Sequence, residues 1–476
     1  MKKVASLIRR YNTNEYRNLF LIVSIFFVIF TTISIHRFWQ YSVWYYDFGI
    51  FYTAISAVSK LQAPIIDHFV FTNTNILGDH FHPIIFLISP LVALFKTGEV
   101  LLVIQTLFVS LSGIFIYLIS KHYQRSKFES FAMLIMYFSF IGLHNALITE
   151  FHEITLLSLP LSIFFYGMIK KKKFWYFLGL FSVLLTKETT FIIPAWFSLL
   201  LIFKNKGQWR KIGLFSLLIS LAYGYFLVTY VFKFFNGEGY YYLEGASKNV
   251  ESIFPTFNEL KIKTIFYSFL NFGFLPLLAP EMLPPILFNW WSRFTSLAST
   301  RHDLGMHYNS EIAPTLILAA NVGWVRLKMF LSKFFPFFKT YYFKILFLIV
   351  VVISFINIIY LNSPILLFGN LDFYKNTENF VFLDTLIENI PEDGIVMAET
   401  NIAARIAYRG KVIMLRDNYD QFSPDYVVVD FREGQEPNNF FGVDFPDFKS
   451  KIYNDPTYFI YYDQGEQVIF KKIKKD

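Results

Sequence analysis

The chain has 476 residues, 55% of them hydrophobic and only 16% charged, with a mean hydropathy of +0.43; this balance excludes a soluble globule with an ordinary charged surface and marks an integral membrane protein. Cysteine is absent, which excludes disulfides, thiolate catalysis and Cys-ligated zinc. The net charge of +8 hides an asymmetry: residues 362–476 hold 12 Lys and Arg against 19 Asp and Glu, the first 361 hold 31 against 16, and the basic excess of the membrane portion serves topology without requiring nucleic acid.

The leader "MKKVASLIRRYNTNEYRN" precedes an apolar run over 20–35 with no small-residue cleavage site behind it, which predicts an uncleaved first helix and a cytoplasmic N-terminus. Further apolar windows at 100–120, 213–235 and 343–361 approach the roughly 20 residues that cross a hydrocarbon core about 30 Å thick. Clusters of Lys and Arg ("KHYQRSK" at 121–127, "KKKK" at 170–173, "KNKGQWRK" at 204–211, "VRLKMFLSKFFPFFK" at 325–339) mark the cytoplasmic loops. Threading helices between them places loop 37–98 outside, with helices returning at 99–120, exiting at 128–149 and returning at 154–169. Within that loop, 82–96 carries Pro83 and Pro90 and reads as an interfacial helix or partial insertion.

Two short apolar runs follow, 174–186 and 189–203, joined by Lys187 and Glu188; each falls short of the core thickness, so their turn is drawn toward membrane depth. Helix 212–235 exits. Prolines at 276, 280, 284 and 285 then break "FLPLLAPEMLPPILFNWW" into a broken or re-entrant pair, which leaves "RHDLGMHY" (301–308) outside before a helix near 311–325 returns. The expected fold is an α-helical polytopic membrane domain over 1–361, with about ten to twelve spans. Residues 362–476 change character: helical spacing up to Ile390, a Pro-Glu-Asp-Gly turn and strand-like "IVMA", "DYVVVDF" and "QVIFKKI" predict a small soluble α/β domain on the extracytoplasmic side.

Under this topology eight of nine histidines (36, 68, 80, 82, 144, 152, 302, 307) lie at the outer face, together with Asp47, Asp67, Asp79, Glu150, Glu153, Glu188 and Asp303. Ionisable groups at membrane depth are costly, so they are candidates for function, although a solvated loop explains Asp67, His68 and His144 equally well. Asp47, amid "WYYDFGIF", has the chemistry to take a proton from an acceptor hydroxyl, its apolar surroundings raising its proton affinity. "GDHFHP" (Asp79, His80, His82) and "EFHE" (Glu150, His152, Glu153) offer donors for a phosphate, or ligands for a divalent cation drawn from Asp79, His80, His82 and His152; neither spacing is diagnostic of a metal. The zinc-protease pattern fails, because Leu156 stands where its second histidine belongs. Lys187 suits a phosphate and Glu188 a sugar hydroxyl, with self-neutralisation as the plainer alternative, and Arg301, His302 and His307 bring further cations to the same face.

The motifs "YYDFGIF", "GDHFHPIIFLISPLVALF", "EFHE", "LLTKET", "LLAPEMLPPILFN" and "HYNSEIAPTLILAA" resemble, in sequence and order, the membrane proteins grouped as domain of unknown function 2079, over about residues 40 to 430. That family in turn resembles the GT-C membrane glycosyltransferases. The resemblance implies an inverting transfer of sugar from a polyprenyl phosphate donor to an extracytoplasmic acceptor (a glycan, lipid or protein), in the cell membrane. It implies Asp47 as the base, with Asp79 the second choice, since the paired "DE" of such transferases is "DF" here. His80, His82, His152, Lys187, Arg301, His302 and His307 would surround the phosphate, with Glu150, Glu153 and Glu188 completing the substrate and phosphate site. Two other classes are consistent with the same polar groups: an ion-coupled transporter or flippase, disfavoured by the lack of an internal repeat, and a non-catalytic scaffold displaying the tail.

Overall fold

A computed structural model describes residues 13–66, 74–124, 126–240, 255–335 and 340–473. Apolar backbone in lipid must satisfy its own hydrogen bonds, and the hydrophobic runs accordingly become helices. The longest are α1 (Thr13–Trp39), α3 (Glu99–Gln124), α9 (Gly207–Phe226), α12 (Ala313–Phe334) and α13 (Thr340–Tyr360), with α2 (Ile50–Ser59) in the first loop. Between α3 and α9 come α4 (Lys127–Phe138), α5 (Ile141–Ile148), α6 (Ser158–Ile169), α7 (Lys173–Leu184) and α8 (Ile192–Lys204). Prolines restrict the next region to 3₁₀ turns between α10 (Glu259–Leu270) and α11 (Pro284–Phe294).

Five described helices are by length and apolarity able to cross a membrane, six when α4 and α5, bent by 45°, count as one span. The sequence count of about ten to twelve is therefore reached only by adding short helices. Three of these, Pro83–Phe95, Glu153–Ile169 and Lys173–Leu184, are apolar and too short to cross alone. The α6–α7 hairpin is held by backbone contact: a Cβ on Gly167 would lie 2.2 Å from the Tyr176 amide nitrogen, and one on Gly179 2.3 Å from that of Phe164.

The 27 residues of α1 span roughly 40 Å, so its ends mark the two ends of the bundle. At one end basic side chains meet acids, two of them buried: Lys121 and Lys127 with buried Glu15, Lys328 with buried Glu129, and Lys204 and Arg326 with the partly exposed Glu281. The other end carries the first loop and the C-terminal region.

That region has α14 (Leu371–Glu378), α15 (Val381–Glu388) and α16 (Thr400–Ile406) beside a five-stranded mixed sheet. Its strands β1 (Val396–Ala398), β2 (Val412–Met414), β3 (Tyr426–Asp430), β4 (Tyr458–Gln464) and β5 (Gln467–Lys472) run in the order β2-β1-β3-β5-β4, the first three parallel. Strand periodicity divides the side chains between two cores. Val396, Ala398, Tyr426, Val428 and Ile469 join Phe38, Tyr45, Phe48, Ile55 and Leu101 of the membrane domain. Met397, Val427, Val429, Val468 and Phe470 face the other way, into a core of the tail alone. Arg405 ties the two parts, its guanidinium 4.5 Å from the Phe38 ring and 4.6 Å from that of Tyr41, and 3.1 Å from Asp384.

Replacing Gly167 by Leu should drive α6 and α7 apart and destabilise the fold by roughly 1–3 kcal/mol. A lowered melting temperature in detergent is the expected reading; a variant that melts with the parent would contradict the close backbone crossing.

Candidate active site

Asp47 sits in one turn of π-helix, Tyr45–Gly49, immediately before α2. The turn needs glycine at its end, since a Cβ on Gly49 would fall 2.3 Å from the Tyr45 ring. Its shape is fixed by Glu150, whose two carboxylate oxygens accept the amide protons of Trp44 and Phe48, each at 3.0 Å. Glu150 itself adopts a left-handed φ of 70°, uncommon for a residue with a side chain. The Gln105 amide of α3 holds that strained segment from below, donating to the Glu150 carbonyl and accepting the His152 amide proton, both at 2.8 Å.

Across from Asp47 stand two stacked imidazoles. His152 Nε2 is 3.5 Å from Asp47 Oδ1, an ion-pair separation, and its ring lies 3.4 Å from that of His307 at 22°. Both nitrogens of His152 and Nδ1 of His307 are buried without a hydrogen bond, as are both nitrogens of His82. Buried polar atoms left in this state point to a ligand or ordered water.

The "GDHFHP" stretch forms the short helix Ile76–Asp79 and an extended exit, joined to the α7–α8 turn by an Ile84 amide bond to the Leu185 carbonyl at 3.0 Å. Glu188 of that turn accepts from the Phe81 amide (3.1 Å) and Tyr240 hydroxyl (3.0 Å) and binds His80 Nδ1 at 2.8 Å. Lys187 donates to Glu153 at 2.6 Å. On the remaining side, Arg301 lies over the Tyr308 ring at 5.4 Å, and Tyr308 is within electrostatic reach of both Lys187 and Asp47.

Burial and Lys187 push His80 down, but Glu188 and Asp79 outweigh them and raise its pKa above the ordinary histidine value. Burial first, helped by the charges of His80 and Lys187 and opposed by Glu153 and Glu188, holds His82 down to about 4, so it is neutral near pH 7. Glu188 is raised by burial, yet His80 and Lys187 bring it to about 2. Lys187 is lowered by burial and raised more strongly by Glu153 and Glu188, so it stays charged. Burial first, then Asp47, push the Glu150 carboxyl well up.

Most of the residues singled out in the sequence are brought together: Asp47, His80, His82, His152, Glu153, Lys187, Glu188 and His307, with Arg301 at the edge and Asp79 exposed at the end of its helix. Three expectations are corrected. Glu150 does not stand free in the site, since both of its carboxyl oxygens are taken by backbone amides. His302 turns away, its Nε2 on the Ser296 carbonyl at 2.8 Å. His144 belongs to the core, bonded to the Phe138 carbonyl and Ser363, each at 2.5 Å. Among the described residues no three His, Asp or Glu side chains converge on a point as metal ligands, so Asp79, His80, His82 and His152 are not assembled as a metal centre. Asp67 and His68 lie outside the described residues.

Gln105, Tyr308 and Arg293 were not foreseen. The first is a lone amide in the apolar run "LLVIQTLF", which is the signal that could have found it. Arg293, from α11, shapes the 301–309 loop by donating to the carbonyls of Arg301 (2.8 Å) and Asp303 (2.7 Å) and to Asn309 (2.8 Å).

The profile of a family described as "Predicted membrane protein (DUF2079)" matches residues 37–449. No curated protein matches the chain. Among solved structures, ArnT from Cupriavidus metallidurans is similar in two states. Bound to undecaprenyl phosphate it gives a TM-score of 0.53 at 12% identity, and in the apo state 0.52 at 12%, each time over 97% of this chain and 99% of that one. At this identity the likeness shows the fold alone, an ArnT-like one over nearly the whole of both chains.

The Glu188 cluster has a pH signature. A carboxyl held at about 2 against an ordinary 4.5 contributes stability that is complete above pH 4.5 and lost as pH falls toward 2, up to about 3 kcal/mol. His80, raised by its partner, adds stability at low pH that fades as pH rises through its folded value. Glu188→Gln should therefore melt lower than the parent at pH 6, and the gap should narrow toward pH 3; a constant gap across that range would rule out the ion pair as its source.

Proposed function

We propose, starting from the fact that the chain belongs to the DUF2079 family of predicted membrane proteins, that it is a membrane glycosyltransferase moving a sugar from a polyprenyl phosphate to an acceptor on the extracytoplasmic side. The observation that carries this reading is the pairing of Asp47 with His152, 3.5 Å apart, beside buried, hydrogen-bond-free imidazoles and the charged Lys187, in a fold like that of a protein solved with undecaprenyl phosphate.

In this reading the acceptor hydroxyl approaches Asp47, whose carboxylate takes its proton as the oxygen attacks the anomeric carbon. The bond from that carbon to the phosphate oxygen breaks, the phosphate leaves with the electron pair, and configuration inverts. Charge growing on the phosphate is met by Lys187 and Arg301, with the neutral His82 imidazole donating a hydrogen bond. Attack at an anomeric carbon needs water kept out, and the apolar rings of Phe51 and Phe151 beside His82 and His152 serve that end. His80 and Glu188, already engaged with each other, fix the floor of the site.

Asp47→Asn should lower sugar transfer by roughly 100-fold or more while leaving the protein folded in detergent. Asp79→Asn should retain most activity. Equal transfer by Asp47→Asn and the parent would sink the assignment of the base.

Undecaprenyl phosphate should also raise the melting temperature of the purified protein, and Arg301→Ala should shrink that rise without changing the melting of the free protein by much. If the lipid phosphate produces no rise in the parent, the donor class is wrong.

A further inference from the structure

We infer that Glu150 is the positioning residue of this site: by bridging the amides of Trp44 and Phe48 it holds the turn that aims Asp47 at His152. The inference rests on the glycosyltransferase reading only for what Asp47 does, since the clamp itself is geometry. One carboxylate spans both ends of the Asp47 turn, with 3.0 Å to Trp44 N and 3.0 Å to Phe48 N. It is buried, and hydrogen bonds from two amides fix its rotamer as well as the turn.

The residue bearing it is held just as firmly. A non-glycine φ of 70° persists only where the surroundings over-determine it, and here the Gln105 side chain grips the Glu150 carbonyl and the His152 amide at once. The same amide thus sets the spacing of Glu150 and His152, and through them that of Asp47 and His152. Three segments distant in sequence are locked in this way: the loop after α1, the second turn of α3 and the α5–α6 connection. Phosphate binding would need a cation or a free hydrogen-bond donor at position 150, and Glu150, both of whose oxygens accept backbone amide protons, offers neither.

The absence of cysteine permits a direct test, because Asp47→Cys introduces a unique thiol at a position whose side chain is about a third exposed. In full-length protein in detergent, Glu150→Gln and Glu150→Ala should each speed maleimide alkylation of that thiol by about tenfold, as the turn comes loose. A control thiol at Asn454→Cys, exposed in the C-terminal domain, should react at an unchanged rate. Unchanged alkylation at position 47, or an equal rise at the control, overturns the inference.

The second arm uses undecaprenyl phosphate. The thermal shift it gives should persist in Glu150→Gln with Asp47 intact; loss of the shift would make Glu150 a phosphate ligand and overturn a purely positioning role. If the parent shows no shift, the donor reading fails, and alkylation still decides for or against the clamp. Should Glu150→Ala not fold, Glu150→Gln, which keeps the shape and one acceptor oxygen, carries the test.

Discussion

A charge held inside an apolar bundle must be paired or neutral, and in this protein the Lys187–Glu153 contact at 2.6 Å meets that constraint. Lys187 comes from the turn between two short helices and Glu153 from the connection into α6, so the pair binds together parts of the bundle that share no hydrogen-bond ladder. Removing one partner of a buried pair typically costs about 3–5 kcal/mol, because the other charge is left uncompensated. Glu188, one residue on, extends the pairing to His80, and the Ile84 amide closes the same loop on the Leu185 carbonyl. The loop after α1 is thereby tied to the helix bundle, and Asp47 faces His152 across a gap whose walls are set elsewhere.

The other face of that loop is covered by the C-terminal domain. Alternate residues of its strands point into a core shared with Tyr45, Phe48 and Ile55, while the residues between them build a separate core. Asp47 thus stands in a layer with the bundle beneath it and a sheet above. Tyr45 donates to the Val412 carbonyl at 3.1 Å and Trp44 to Asn439 at 3.0 Å, on either side of the clamp by which Glu150 holds the same turn. A domain that reads in the sequence as an appendage is, physically, part of the scaffold of the site.

The three candidate motifs are legible to different depths. Lys187 and Glu188 stood out because two charges between short apolar runs have no cheap place to go, and both did find partners. His80 and His82 were read together as phosphate or metal donors, yet one is committed to Glu188 and the other lies unpartnered beside Phe51, a split that depends on a residue more than a hundred positions away. Glu150 shows the limit most clearly. Nothing in "TEFHE" tells a carboxylate that touches substrate from one that caps a distant turn, since the caps come from Trp44 and Phe48. The span count depends on how short helices are treated: five or six described helices are long enough to cross alone, and those of 12 and 13 residues, such as α7 and α8, are apolar but too short to do so.

The sequence by itself determined the class of the protein, because so large an apolar excess needs lipid to cover it, lipid admits only helices and closed barrels, and long continuous apolar runs without alternation select helices. It also determined the composition of the polar end, whose acids and histidines recur in every segment expected there, and the existence of a separate strand-rich tail. The tertiary structure decided which of those groups meet. A single residue's options, ion pair, amide cap, core histidine or unpartnered imidazole, differ by only a few kcal/mol and are settled by neighbours contributed from far along the chain. Asp47 opposite His152, with Glu150 spent on its support, is a property of that packing and of no one motif.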